Sequence, residues 1–110
     1  MNSSSLARLQ MMMQYIHSNY SENISLLEIA RAGKVSISTA LNLFRNVLDT
    51  SPVNYLICYR LKKAALLLTN TEKKISAIST ETGFNNTDYF CKTFKRIYSL
   101  TPTEYRNIKK

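Results

Sequence analysis

The stretch ISAISTETGFNNTDYFCKTFKRIYSLTPTEYR, running from Ile75 to Arg106, decides the fold. Ile75, Ile78 and Ser79 mark the inner side of a short helix that stops at Gly83, a residue suited to tight turns. From Thr87 to Tyr98 the apolar positions Phe90, Phe94 and Ile97 recur at intervals of four and three, the period of a helix with one buried stripe. The opposite side is polar: Asp88, Cys91, Lys92 and Lys95 fall in line there, with Thr87 at the exposed N-terminal end. Thr101, Pro102 and Glu104 open a further helix, in which proline suits the first helical position. A short helix, a tight turn and an amphipathic second helix are the plan of a helix-turn-helix.

The same plan occurs earlier in the chain. Leu26, Ile29 and Ala30 match Ile75, Ile78 and Ser79 at an offset of 49, whereas Phe44, Arg45, Ser51, Pro52 and Tyr55 match Phe94, Lys95, Thr101, Pro102 and Tyr105 at 50. One residue inserted in the second turn explains the change. In this first copy Ser25 and Glu28 form a capping box for a helix ending near Gly33, and Ser36 caps a helix over 37–48. Its stripe Ala40, Phe44 and Val47 is expected inside, with Ser38, Leu41, Asn42 and Arg45 outside. Solenoids also repeat near this period but need about three stacked copies, so two linked helix-turn-helix units fit better.

Working outward, Leu6, Leu9, Met13, Ile16 and Tyr20 place a helix over 6–19, in which the methionine run is core filler. Ser51 caps a long helix from Pro52 to Leu68 that buries Leu61, Ala64 and Leu68. With two glycines, two prolines and no strand-like alternation, the fold class is all-α. The 110 residues make a single domain, 1–110, divided into a helix-turn-helix subdomain over 6–50, a linker helix over 52–68 and a second helix-turn-helix subdomain over 71–110.

Fifteen Lys and Arg against seven Asp and Glu leave a formal charge of +8, which suits a nucleic acid or an anionic membrane. No apolar run approaches the roughly 20 residues a bilayer span needs and no leader opens the chain, so a cytoplasmic protein without a membrane partner is expected. Cys58 and Cys91 lie far apart without a CxxC or Cys/His cluster, so they read as reduced thiols and neither a metal nor a cofactor is expected. A thiolate at Cys91 would have its pKa lowered by Lys92. His17 stands alone and reads as a surface or half-buried side chain. Paired carboxylates, a nucleophile with its base and a metal cluster are all missing, which argues against an enzyme.

The two polar stripes suit a major groove. Lys92 can donate to guanine O6 or N7, Asn42 can pair with adenine, and Leu41 can meet a thymine methyl, while Arg45 and Lys95 are placed for phosphates. Asp88 favours the positive end of its own helix dipole over acceptance from a cytosine amino group. The competing reading is a helical protein-interaction module whose basic surface meets an acidic partner.

With these residues laid out, the chain resembles the DNA-binding domain of AraC/XylS-family bacterial transcription regulators over most of Tyr15 to Arg106. The likeness is strongest in Ile75, Ile78, Gly83, Phe84, Tyr89, Phe90, Phe94, Lys95, Thr101, Pro102, Tyr105 and Arg106, and continues in Ser51, Pro52, Tyr55, Arg60, Leu61, Ala64, Leu67 and Leu68. The resemblance implies seven helices, two subdomains joined by a linker helix, and two recognition helices on one side of the duplex. It implies base-facing positions Ser38, Thr39, Leu41 and Asn42 in the first unit, and Thr87, Asp88, Cys91 and Lys92 in the second. It also implies a transcription activator, binding double-stranded DNA as a monomeric isolated domain, with RNA polymerase as partner. Departures from the family pattern are Ala40 for a larger apolar residue, Asn42 for Arg, Lys74 for a capping Ser or Thr, and Ser99 for Gly. The polar start from Asn2 to Ser5 reads like the end of a linker, as in the C-terminal fragment of a longer regulator.

Overall fold

In the computed structural model, which describes residues 2–109, the helical periods of the sequence become seven α-helices, with no strand among the described residues. They are α1 (Ser3–Asn19), α2 (Leu26–Ala32), α3 (Ile37–Leu43), α4 (Pro52–Asn70), α5 (Ile75–Glu81), α6 (Thr87–Tyr98) and α7 (Pro102–Lys109). α3 runs on into a π-helical turn, Phe44–Leu48. Two compact units divide between Tyr59 and Arg60, inside α4.

Local side-chain chemistry starts most of these helices. Ser25 accepts from the Glu28 amide while Glu28 accepts from the Ser25 amide, and Thr101 with Glu104 makes the same reciprocal pair. Each box satisfies two amides that have no partner inside their helix. Ser36 and Ser51 accept from the amides of Thr39 and Asn54. Asn86, which the sequence reading passed over, caps α6 by accepting from the Tyr89 amide at 2.9 Å. Asn2 likewise accepts from the Ser5 amide, so Ser3 to Ser5 are the first turn of α1 and not linker. Lys74 caps α5 with no side-chain bond, and Ser99 ends α6 in the left-handed region that the family's glycine would occupy freely.

The first unit buries Leu9, Met12 and Ile16 of α1 against Ile29, Ala30, Ala40, Leu43, Phe44 and Leu56. Met12, wholly buried, is the core methionine of the run, while Met13 and Tyr20 pack beside it and Leu6 stays exposed. His17 is half-buried, its Nε2 2.6 Å from the Tyr55 hydroxyl and its ring stacked on Tyr59. Burial raises the Tyr55 pKa, with the neighbouring Tyr59 adding to the shift. The second unit buries Leu61, Ala64 and Leu68 of α4 with Ile78, Phe84, Phe90 and Phe94. Leu9, Met12 and Ile16 therefore correspond to Leu61, Ala64 and Leu68 at an offset of 52, and the repeat takes in α1 and the C-terminal half of α4.

The structure locates the inserted residue. Lys34 (φ 58°) and Gly83 (φ 96°), 49 apart, carry the left-handed turn of each unit, while the cap residues Ser36 and Asn86 are 50 apart. Val35 and Phe84 each donate back to the second α-helix of their unit, to Ala30 and Ser79. The extra residue is thus Asn85. The two glycines are not equivalent: Gly83 supplies a positive φ, whereas Gly33 has φ −88° and corresponds to Thr82.

Two expected core positions are corrected. Val47 and Ile97 are 40% and 41% exposed, and the inner stripe is instead Ala40, Leu43 and Phe44, matched by Phe90, Thr93 and Phe94. The following helix covers the end of this stripe from one side. Tyr55 meets Phe44 edge-on at 5.6 Å, and Tyr105 meets Phe94 at 5.3 Å, with Tyr98 stacked on Phe94. Val47 and Ile97 fall off that line.

Candidate nucleic-acid interface

The turn before α3 is held from outside it. Arg8 on α1 donates from one guanidinium nitrogen to the carbonyls of Gly33 and Lys34, both at 3.2 Å, fixing the corner where Lys34 takes its left-handed conformation. Below the second unit, Arg106 of α7 donates to the carbonyls of Leu68 (2.9 Å) and Thr71 (3.2 Å), tying α7 to the end of α4. α3 and α6 therefore rest on packed supports, and such placement of side chains on rigid helices suits recognition.

From Ser38 and Asp88 onward, the two helices have the same burial residue by residue. Ala40, Leu43 and Phe44 are buried and their counterparts 50 residues on, Phe90, Thr93 and Phe94, are buried too. Ser38, Thr39, Asn42 and Arg45 are exposed on α3 and its continuation; Leu41 is half-buried. On α6, Asp88, Lys92 and Lys95 are exposed, while Cys91 and Thr87 are half-buried, so Thr87 is less open than its position at the helix start suggested. Ala40, small for the family, is filled over completely.

Within each face the charged groups stay available. Arg45 donates to the Asn42 side-chain oxygen at 3.4 Å, a long bond that brings the expected phosphate and base positions of the first unit together. Asp88 and Lys92 stand one helical turn apart on α6, and away from this face Lys73 pairs with Glu81 at 2.9 Å. Asp88 lies in the first turn of α6, where its charge suits the helix dipole. Burial raises the Cys91 pKa and the carboxylate of Asp88 raises it further. This reverses the expectation that Lys92 would lower it: lost hydration and an adjacent anion both disfavour the thiolate.

The sequence reading left one large side chain out of this surface. Tyr89, half exposed at 50%, occupies on α6 the position that Thr39 has on α3. Applying the 50-residue offset to Thr39 was the signal that would have found it. Its ring tilts against Phe84 at 6.2 Å, and its phenol acts electrostatically on Arg60, whose pKa burial lowers. Among the described residues no His, Cys, Asp and Glu group could hold a metal ion, and no helix is long and apolar enough to cross a membrane.

Known proteins repeat this arrangement. A sequence family described as a helix-turn-helix domain matches residues 29–108. An uncharacterised helix-turn-helix-type transcriptional regulator, YdeC of Bacillus subtilis, is 36% identical over 92% of this chain and 35% of its own length. The lactose operon transcription activator of Staphylococcus xylosus is 30% identical over 90% of the chain and 36% of its own. The chain thus spans about a third of the length of these relatives. A crystal structure of a transcriptional regulator with an AraC-type DNA-binding domain, from Chromobacterium violaceum, superposes with a TM-score of 0.90 at 30% identity, covering 98% of this chain and 96% of that one.

Proposed function

The chain belongs to the AraC-type helix-turn-helix family of bacterial transcription regulators as a DNA-binding domain, and from that premise we propose that it reads double-stranded DNA with two recognition helices, α3 and α6. The observation that carries this reading is the matched burial of the two helices at a 50-residue offset, each turning polar side chains to solvent. Ser38, Thr39, Leu41 and Asn42 on α3, with Thr87, Asp88, Cys91 and Lys92 on α6, face the bases of adjacent major-groove segments. Arg45 and Lys95, one turn farther along, contact phosphates. Lys92 fits guanine, Asn42 fits adenine through its amide, and Leu41 and Cys91 offer apolar surface to a thymine methyl.

The chain acts as a monomer in the cytoplasm. It activates transcription, a role supported by the name of the Staphylococcus relative, with RNA polymerase as its partner. Anisotropy with labelled duplex across salt concentrations tests the binding. With roughly six phosphates neutralised, log affinity falls against log salt with a slope near −5. Lys92→Ala then costs roughly 1 to 3 kcal/mol on the preferred site and relaxes one base position, whereas Lys95→Ala weakens every duplex alike. Equal, sequence-blind losses for both would refute the division into base and phosphate positions. Tighter binding to an acidic peptide than to any duplex would favour a protein-interaction module instead.

A further inference from the structure

The two recognition surfaces differ along one flank. Tyr89 and Arg96 are seven residues apart, so an α-helix sets them almost in line, two turns apart, with Lys92 between them as the neighbour of both. All three are exposed. The counterparts on the first unit are Thr39, Asn42 and Asn46, which are short and uncharged, and the Thr39 hydroxyl already accepts from Ser36. Only α6 therefore carries a long, basic flank beside its reading face. Phe84 supports the tyrosine ring from beneath, while its hydroxyl and the Arg96 guanidinium have no hydrogen-bond or salt-bridge partner among the described residues.

We infer that Tyr89 and Arg96 form a backbone contact of the second unit, gripping phosphates of one DNA strand along the wall of the groove that α6 enters. This rests on the DNA-binding reading above. A phenol donates one hydrogen bond to a phosphate oxygen, and a guanidinium supplies a fork of donors with a full charge. Position argues for the backbone, since the line of Asp88, Lys92 and Lys95 lies between this flank and Cys91 on α6. The contact holds α6 in register and carries no base preference of its own.

The test uses a duplex selected by the wild-type chain, a scrambled duplex and two variants. Tyr89→Phe keeps the ring against Phe84 and removes only the hydroxyl. It should bind both duplexes roughly tenfold more weakly, with an unchanged salt slope, because a neutral donor displaces no counterion. Arg96→Gln should weaken both duplexes and make the slope shallower by about 0.9. Unaltered melting temperatures separate these losses from unfolding. Wild-type affinity in both variants overturns the assignment while leaving the DNA-binding reading intact, and so does a loss confined to the selected duplex, which would make the flank a base reader. If the wild-type chain binds no duplex, the functional reading falls and this contact falls with it.

Discussion

A methyl group at Gly33 would lie 2.7 Å from Met12 Cγ and 2.9 Å from the Arg8 carbonyl, closer than real contacts allow. The same place in the second unit holds Thr82, wholly buried, with its hydroxyl donating to Ile78. The difference is explained by the partner helix: where α1 brings Met12, α4 brings Ala64. Gly33→Thr should therefore destabilise the first unit by roughly 2 kcal/mol or more through overpacking, and Met12→Ala added to it should recover part of the loss. Strict additivity of the two changes in urea melts would show that no such exchange of volume operates. Ser79 offers the opposite case. Its hydroxyl is buried without a hydrogen-bond partner, and its counterpart in the first unit is Ala30. Ser79→Ala removes an unsatisfied polar group and should raise stability by about 1 kcal/mol; a loss of stability would mean that the hydroxyl has a partner in solution.

At the scale of elements, the capping box that starts α7 has a measurable proton signature. Glu104 has its pKa lowered, first by the Thr101 amide and then by the Thr101 hydroxyl, with Lys95 adding a smaller pull. A lowered folded-state value means the box favours folding at pH above the ordinary glutamate range and loses that contribution as pH falls through the lowered pKa. In an NMR titration Glu104 should ionise below an ordinary glutamate, and Thr101→Ala should move it part of the way back, since the amide remains. An unshifted carboxyl would remove the box as a source of stability. The Ser25 capping box was legible in the sequence, as were the starts of α2, α3, α4 and α7, because Ser, Thr, Glu and Pro act on their own backbone neighbours, whereas the Asn86 cap of α6 was not. The ends of α3 and α6 were less so. Periodicity placed Val47 and Ile97 inside, but which side of a last turn is covered depends on where Tyr55 and Tyr105 approach, a tertiary fact. The π-helical turn after Leu43 has no marker in FRNVL either. For the candidate surface, the repeat showed which side of α3 and α6 is polar; Thr39 came from the family resemblance, which marks no base-facing role for its counterpart Tyr89, 50 residues on.

At the scale of the whole chain, α4 is a single helix of 19 residues, with Leu56 in the first core and Leu61, Ala64 and Leu68 in the second. At about 1.5 Å per residue it is roughly 28 Å long, and no glycine or internal proline interrupts it. Core residues of both units thus sit on one uninterrupted helix. If α3 and α6 read successive segments of the major groove, their half-sites must repeat at about one helical turn of DNA, about 34 Å or 10 base pairs. Ser38, Leu41 and Asn42 differ from Asp88, Cys91 and Lys92, so the site of one chain should be non-palindromic. Adding about five base pairs between the halves turns one of them to the far side of the duplex, which a single helix cannot follow unless the DNA bends or twists at a cost of several kcal/mol. Affinity for the lengthened site should fall toward that for a single half-site, and altering only the Asn42 half-site should cost less, because Asn42 stands where the family commonly has Arg. Anisotropy on the intact, lengthened and single-half duplexes at one salt concentration measures this. Undiminished binding to the lengthened duplex would mean that α4 does not couple α3 and α6 in reading DNA.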